Sequence, residues 1–231
     1  MHNRWCLILG FTTLAPFLSL PSGAQQSVAL IQEAPYVIPR LEGPIVIDGR
    51  IDEPAWEAIV PLPAVMHRPD FGMPPSERTE FRVAHDREHL YFSCRAYVSD
   101  PATIQALSLE RNETGGGRDT CAIYLDTAND AENALGFRTT PAGNRTDFHF
   151  TNDGGAANSN WDTFWETAVS SDEHGWYAEM QIPSSSLIYQ VEDGRVLMGM
   201  SVLRMIAQTN ERVIYPAIPP QWGGFSFAKA S

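Results

Sequence analysis

Apolar residues recur at every second position along much of this chain, and that period limits what the chain can fold into. Leu90, Phe92, Cys94, Ala96 and Val98 alternate with Tyr91, Ser93, Arg95 and Tyr97. Cys121, Ile123 and Leu125 alternate with Thr120, Ala122, Tyr124 and Asp126. Trp176, Ala178, Met180 and Ile182 repeat the pattern. Such a period sends successive side chains to opposite faces of a strand, whereas a helix needs apolar residues three and four apart. Turn residues separate the alternating runs: Asp86-Arg87-Glu88, Pro141-Ala142-Gly143-Asn144 and Asp172-Glu173-His174-Gly175. Short strands at even spacing with almost no helix predict an all-β chain, an antiparallel β-sandwich of jelly-roll type with one or two short helical turns.

The chain divides unevenly. Arg4, the apolar stretch Leu7 to Leu20 and Ser22-Gly23-Ala24 read as a secretory leader over residues 1–24. The apolar run is too short for a membrane span and is interrupted by Pro16. The chain is therefore expected to be exported, to a periplasm or beyond. Residues 25–34 read as an N-terminal arm, 35–212 as one sandwich domain and 213–231 as an irregular tail holding Trp222.

Within the domain, Ile45 to Ile47 is expected as a short strand, with Asp48-Gly49 as a tight turn. Asp52 is expected to cap a short helix whose Trp56 and Ile59 cover a sheet face. The proline-rich stretch 60–76 reads as a loop or edge segment. Helical turns are expected at Ala102 to Leu109 and at Ser184 to Leu187, and a flexible loop at Glu110 to Arg118. Asn152 to Asn160 reads as a polar loop, Trp161 to Glu166 as a Trp-rich strand, and Val196 to Leu203 as the last core strand.

Charge narrows the partners. A formal net charge of −12 repels phosphate backbones and anionic lipid, which excludes nucleic acid as the natural ligand. Cys6 falls in the leader. Cys94 and Cys121 sit at inward-facing strand positions and are expected as lone core thiols, with a disulfide as the alternative in an oxidising compartment. Two cysteines without CxxC spacing do not make a metal site.

Several short motifs, taken in order, resemble the family 9 carbohydrate-binding modules, in the version that stands at the front of bacterial DUF5916 outer-membrane proteins. They are Ile47-Asp48-Gly49 with Asp52-Glu53-Pro54-Ala55-Trp56; Leu90-Tyr91-Phe92; Tyr124-Leu125-Asp126-Thr127 with Asn129-Asp130; Gly136-Phe137-Arg138 with Pro141-Ala142-Gly143; Trp161-Asp162 with Trp165-Glu166; and Gly175-Trp176 with Glu179-Met180 and Ile182-Pro183. The resemblance implies a β-sandwich that binds sugar without cleaving it, often with structural calcium. The longer relatives continue into a β-barrel, so a barrel protein of the outer membrane is an implied partner.

Candidate site residues follow from sugar chemistry. The C–H face of a pyranose stacks on an aromatic ring while polar groups fix its hydroxyls. Trp161, Trp165 and Trp222 are the candidate platforms, and Trp161 and Trp165 share a face if their segment is extended. Trp56 and Trp176 read as core. Arg95 and Arg138 could donate paired hydrogen bonds to hydroxyls, with salt bridging as the commoner use of such residues. Asp126, Asn129 and Asp130, with Glu132 nearby, form an oxygen-rich cluster suited to calcium, and Asn152 with Asp153 forms another; ordinary turn chemistry uses the same residues. Asp147 and His149 read as a solvated strand face. No P-loop, dinucleotide fingerprint or Ser-His-Asp order is visible, and a glycosidase with two facing carboxylates is the weaker alternative.

Overall fold

The computed structural model describes residues 35–106 and 117–222. The leader, the arm 25–34, the loop from Glu110 and the end of the tail from 223 fall wholly or mainly outside these residues. Eleven strands are present among the described residues: β1 (Val65–Arg68), β2 (Thr79–His85), β3 (His89–Tyr97), β4 (Thr120–Asp126), β5 (Ala134–Thr139), β6 (Arg145–Thr151), β7 (Ala156–Asn158), β8 (Glu166–Asp172), β9 (Gly175–Pro183), β10 (Gly199–Ile206) and β11 (Glu211–Tyr215). They form two antiparallel sheets. One has seven strands in the order β1-β11-β10-β4-β5-β6-β7, the other four in the order β2-β3-β9-β8. The helical content among the described residues is one turn, α1 (Pro54–Glu57), and three 3-10 turns. This is the all-β sandwich that the two-residue period predicts.

The two inner faces meet in the main core. Phe81, Val83, Phe92, Ile123, Phe137, Trp176, Ala178, Met180, Ile182, Val202 and Val213 are all fully buried there. Each large side chain removed from water in this way contributes about 1.5–3 kcal/mol before entropy is charged against it. Cys94 of β3 and Cys121 of β4 face each other across the layers and form a disulfide with a Cα–Cα separation of 6.5 Å. This overturns the expectation of two lone thiols. The alternation had placed both residues inward, but only the stacking of the sheets brings β3 over β4.

Arg204 of β10 also points inward. It donates to the carbonyl of Arg78 (3.1 Å), Thr79 Oγ1 (2.8 Å) and the carbonyl of Tyr97 (2.8 Å), so a charged side chain ties the large sheet to the small one. Burial pulls its guanidinium down to about 10, still high enough to stay protonated at neutral pH.

The outer faces depart from the sequence pattern. On the large sheet Ala122, Tyr124, Ala134, Phe148, Phe150 and Leu203 form a second buried cluster, so β4 is buried on both faces rather than half-buried. On the small sheet Ile51, Trp56, Ile59, Ala84 and Tyr91 form a third. Trp56 and Ile59 cover a sheet face as expected, but the residue before α1 is Glu53, not Asp52. It makes no side-chain cap, and its Oε1 accepts from Val46 N at 2.9 Å instead.

This third cluster is latched by Glu179 of β9. Its carboxylate accepts from Asp48 N (3.1 Å), Gly49 N (2.8 Å) and Trp56 Nε1 (2.7 Å). Gly49 is required at this point. Its φ is +85°, and a Cβ would lie 2.5 Å from the Val169 carbonyl carbon. Burial pushes the Glu179 carboxyl above its usual range, partly offset by the Trp56 and backbone donors.

Other corrections concern boundaries. The stretch 161–165 is not a strand; β8 begins at Glu166. The polar 152–160 loop contains edge strand β7, and pairing continues beyond residue 212 to Tyr215 in β11, while the proline-rich 60–76 segment holds edge strand β1, in keeping with its reading as a loop or edge segment. The 3-10 turn at Ser184–Ser186 lies within the one expected at Ser184 to Leu187, whereas the turn at Pro101–Thr103 starts one residue before the expected Ala102 to Leu109 and gives way to extended backbone at Ile104.

Candidate functional site

The most distinctive surface among the described residues lies where the segment between β7 and β8 crosses the inner face of β5 and β6. The register pairs Phe137 with Asp147 and Leu135 with His149, so Asp147 and His149 point to the same side as the core residues of β5. The expectation of a solvated face there is overturned, because residues 161–165 lie over it. Asp147 is fully buried and accepts from Thr163 N at 2.8 Å. Arg145 Nη1 donates to the Trp165 carbonyl at 2.7 Å, and Ser186 Oγ donates to the Phe164 carbonyl at 2.7 Å. Three consecutive residues are thus pegged through their backbones, which fixes the direction of the side chains between them.

The rings divide by depth. Trp165 is only 2% exposed and meets Phe137 edge to face with centroids 5.5 Å apart. Its faces are spent on packing, which corrects its reading as a stacking platform. Trp161 is half-buried, 6.3 Å from Phe137 and 6.5 Å from the His149 ring, and keeps part of its surface at the rim. Phe164 projects outward at 87% exposure. Leaving such a ring in water forgoes the stabilisation that burial would give, and the backbone pegs hold it there.

Arg145, Asp162, Thr163, Phe164 and Trp165 line a cleft of about 480 Å3. The Arg145 guanidinium lies 5.9 Å from the Trp165 ring centroid, with one Nη1–H used by the Trp165 carbonyl. Its planar fork has further donors to offer, at a spacing that suits neighbouring sugar hydroxyls. Asp162 is exposed and adds an acceptor.

The remaining candidates do not converge on this rim. Arg95 lies on the outer face of the small sheet and donates to the Ile51 carbonyl, holding the segment before α1. Arg138 lies on the outer face of the large sheet, 4.7 Å over the Phe148 ring, where burial pulls its guanidinium down. Trp222, 38% exposed, ends a 3-10 turn beyond β11, a strand that β10, β4 and β5 separate from β6. The sequence reading missed Phe164, Arg145 and the Glu179 latch. Phe164 sits between two tryptophans that offer larger rings, and Arg145 reads only as the first residue of the strand after the Pro141–Asn144 turn. The alternation of β6 with β5 could have placed Arg145 inward.

The oxygen-rich loop after β4 is occupied with its own backbone. Asp126 accepts from Asp130 N (3.2 Å) and Ala131 N (2.7 Å). Asp130 accepts from Glu132 N and Asn133 N (2.8 Å each) and from Asn133 Nδ2 (2.7 Å). Asn129 turns the chain with φ +51°, and Asn152 and Asp153 do the same with φ +63° and +51°. Among the described residues no three His, Cys, Asp or Glu side chains are grouped to hold a metal. The oxygens face amide hydrogens rather than a common centre, so Asp126, Asn129 and Asp130 do not fit a calcium cage.

Compared with protein-family models and with curated proteins, the chain gives no match. Solved structures do match. A proposed carbohydrate-binding protein from Bacteroides uniformis superposes with a TM-score of 0.56 at 14% identity, covering 77% of this chain and 86% of that one. A family 9 carbohydrate-binding module from Caldicellulosiruptor kristjanssonii, in complex with glucose, superposes with a TM-score of 0.52 at 16% identity, covering 84% of this chain and 91% of the other. At such identities the likeness concerns architecture, and the architecture is the sandwich of the family 9 carbohydrate-binding modules.

Proposed function

We propose that this chain is an exported, non-catalytic module that binds carbohydrate at the rim formed by the 161–165 segment and β6. The observation that carries the reading is Phe164, an aromatic ring held out into water by bonds to the backbone on either side of it, next to half-buried Trp161 and the open fork of Arg145. A pyranose ring stacks its C–H face on Phe164 or on the exposed part of Trp161. Arg145 donates to adjacent hydroxyls and Asp162 accepts from them, and the aromatic contact supplies most of the area. One cation and one anion lining the cleft suit a neutral sugar. The fold shared with a glucose-bound module supports this choice of ligand class. The disulfide in the core supports export, because such bonds persist in oxidising compartments.

The test is titration of the protein with glucose and a panel of neutral oligosaccharides, followed by tryptophan fluorescence and calorimetry. Trp161→Ala and Phe164→Ala are each expected to raise the dissociation constant about tenfold or more. Absence of saturable binding across the panel, or unchanged binding in both variants, refutes the rim assignment.

A second reading has its own observation. Ile188, Val191, Val196 and Leu197 are exposed in the segment that follows the Ser186 contact to Phe164. A run of exposed aliphatic side chains suits a protein surface better than a sugar. In this reading the module docks on an outer-membrane barrel protein. Capture of such a protein by the wild type but not by an Ile188→Asp variant, with no glycan binding, selects it.

A further inference from the structure

A second cleft opens at the end of the small sheet opposite the rim, lined by Glu77, Arg78, Tyr97, Val98, Ser99 and His174. Its volume of about 410 Å3 falls within the range of small-molecule sites. Tyr97 is the last residue of β3 and alternates to the outer face, where it is half-buried. Its partner across β9 is Gly175, which brings no side chain to cover that flank of the ring. Glycine is required there. Its φ is +150°, and a Cβ would run into the Ala96 carbonyl oxygen.

The backbone around this cleft is held from beneath. Arg204 donates to the carbonyls of Arg78 and Tyr97, and Val98 N donates to the His174 carbonyl at 2.9 Å. The Glu77 carboxylate accepts from Ser99 N at 3.1 Å and from Ser99 Oγ at 3.0 Å, which ties the approach to β2 to the exit from β3.

The side chains so placed keep hydrogen-bonding capacity. The Arg78 guanidinium lies 4.7 Å over the Tyr97 ring and gives Nη2 to Glu80, which Arg82 also pairs. A guanidinium has five N–H donors, so most of those on Arg78 face the cleft and water. Each Glu77 oxygen has taken one donor and has room for a second. The His174 ring is exposed at the cleft's edge. An aromatic floor edged by donors and acceptors suits a ligand with a C–H face and hydroxyls around it. One cation and one anion line the cleft, so a neutral ligand meets no unbalanced charge. A purely apolar one would strip water from both without replacing it.

We propose that this cleft is a second carbohydrate site, taking a neutral sugar residue against Tyr97, with Arg78 donating to its hydroxyls and Glu77 accepting from them. The ligand class is that of the rim, but none of the residues is shared. β9 runs nine residues from Gly175 at this cleft to Pro183, beside the turn whose Ser186 contacts Phe164, so the two sites lie about 30 Å apart along the strand. Two sites on one module hold a polysaccharide more tightly than either alone. That gain, unlike the site itself, rests on the rim reading.

The experiment titrates the whole protein with glucose and neutral oligosaccharides at fixed pH, following the ring protons of His174 and His149 by NMR. His149, 6.5 Å from the Trp161 ring, reports on the rim. The expected result is a saturable shift at His174, with its dissociation constant raised at least tenfold in Tyr97→Ala and in Arg78→Met. Arg78→Met keeps the backbone carbonyl that Arg204 binds, so it decides the matter if Tyr97→Ala unfolds. Shifts at His174 without shifts at His149 support this site and refute the rim. Shifts at His149 alone refute this site and leave the rim standing. No saturable shift at His174, or one unchanged in either folded variant, overturns the proposal.

Discussion

Removing the Cys94–Cys121 disulfide tests the stacking of the two sheets most directly. The bond spans a sequence separation of 27 residues. In the chain-entropy description, closing a loop of that length removes about 12 cal/mol/K from the unfolded ensemble, or about 3.6 kcal/mol at 25 °C. That is a large share of the 5–15 kcal/mol by which a typical domain is stable. For a domain of this size the loss lowers Tm by about 7–14 °C. The assay is circular-dichroism melting of wild type against the Cys94→Ala, Cys121→Ala double variant. Thiols are counted in denaturant before and after reduction, with Cys6 contributing the third cysteine where it is retained. Expression in an oxidising compartment should reproduce the stable form, and cytosolic expression the weaker one. A double variant that melts within about 2 °C of wild type, or free thiols at Cys94 and Cys121 in oxidised protein, refutes the cross-sheet bond and the strand alignment that brings it about.

Other expectations follow from the latch, the buried imidazole of His67 in β1 and the rim. Glu179→Ala leaves Asp48 N, Gly49 N and Trp56 Nε1 without their acceptor and is expected to cost about 3 kcal/mol in denaturant unfolding, with Trp56 fluorescence reporting the loosened segment. Because the folded Glu179 carboxyl lies above its ordinary 4.5, the native state holds that proton more tightly. Its contribution is therefore present at low pH and is lost as pH rises through the raised value, and Glu179→Gln should flatten that part of the profile. His67 has the opposite sign. The unfolded ring takes up a proton near 6.5 and the folded ring only near 4, so stability is full above 6.5 and falls as pH drops toward 4. The loss is up to about 3 kcal/mol, and it should shrink in His67→Phe melts if that ring is tolerated. Phe164→Ala should leave stability within about 0.5 kcal/mol while weakening glycan binding, which separates a ligand contact from a packing residue.

The regular centre of this fold is legible in the sequence because there local pattern and tertiary burial agree. Leu90 to Val98 and Trp176 to Ile182 alternate as strands and bury the faces that the alternation assigns. Legibility fails where a distant element decides the outcome. Thr120, Ala122, Tyr124 and Asp126 resemble a half-wet face, yet all are buried in the folded chain. Trp161 and Trp165 share a side as their spacing suggests, since both rings reach Phe137, but nothing in the spacing says which one sinks into the core. Asp126 and Asp130 carry the right chemistry for a cation and spend it on backbone amides and the Asn133 side-chain amide. Arg145 and Phe164 acquire meaning only when the 161–165 segment folds across β6.

The Glu179 latch also bears on when this molecule can fold. Its carboxylate binds groups 123 to 131 residues earlier in the chain. At ordinary rates of synthesis, a ribosome takes about 6–25 s to make that length. Throughout that interval Trp56 and its neighbours lack the partner that seats them, and β3 lacks β9 beside it. Contacts of such long range also form slowly once both ends exist. The nascent polypeptide is thus kept from closing early, and a translocation channel that accepts only unfolded chains would have time to engage it.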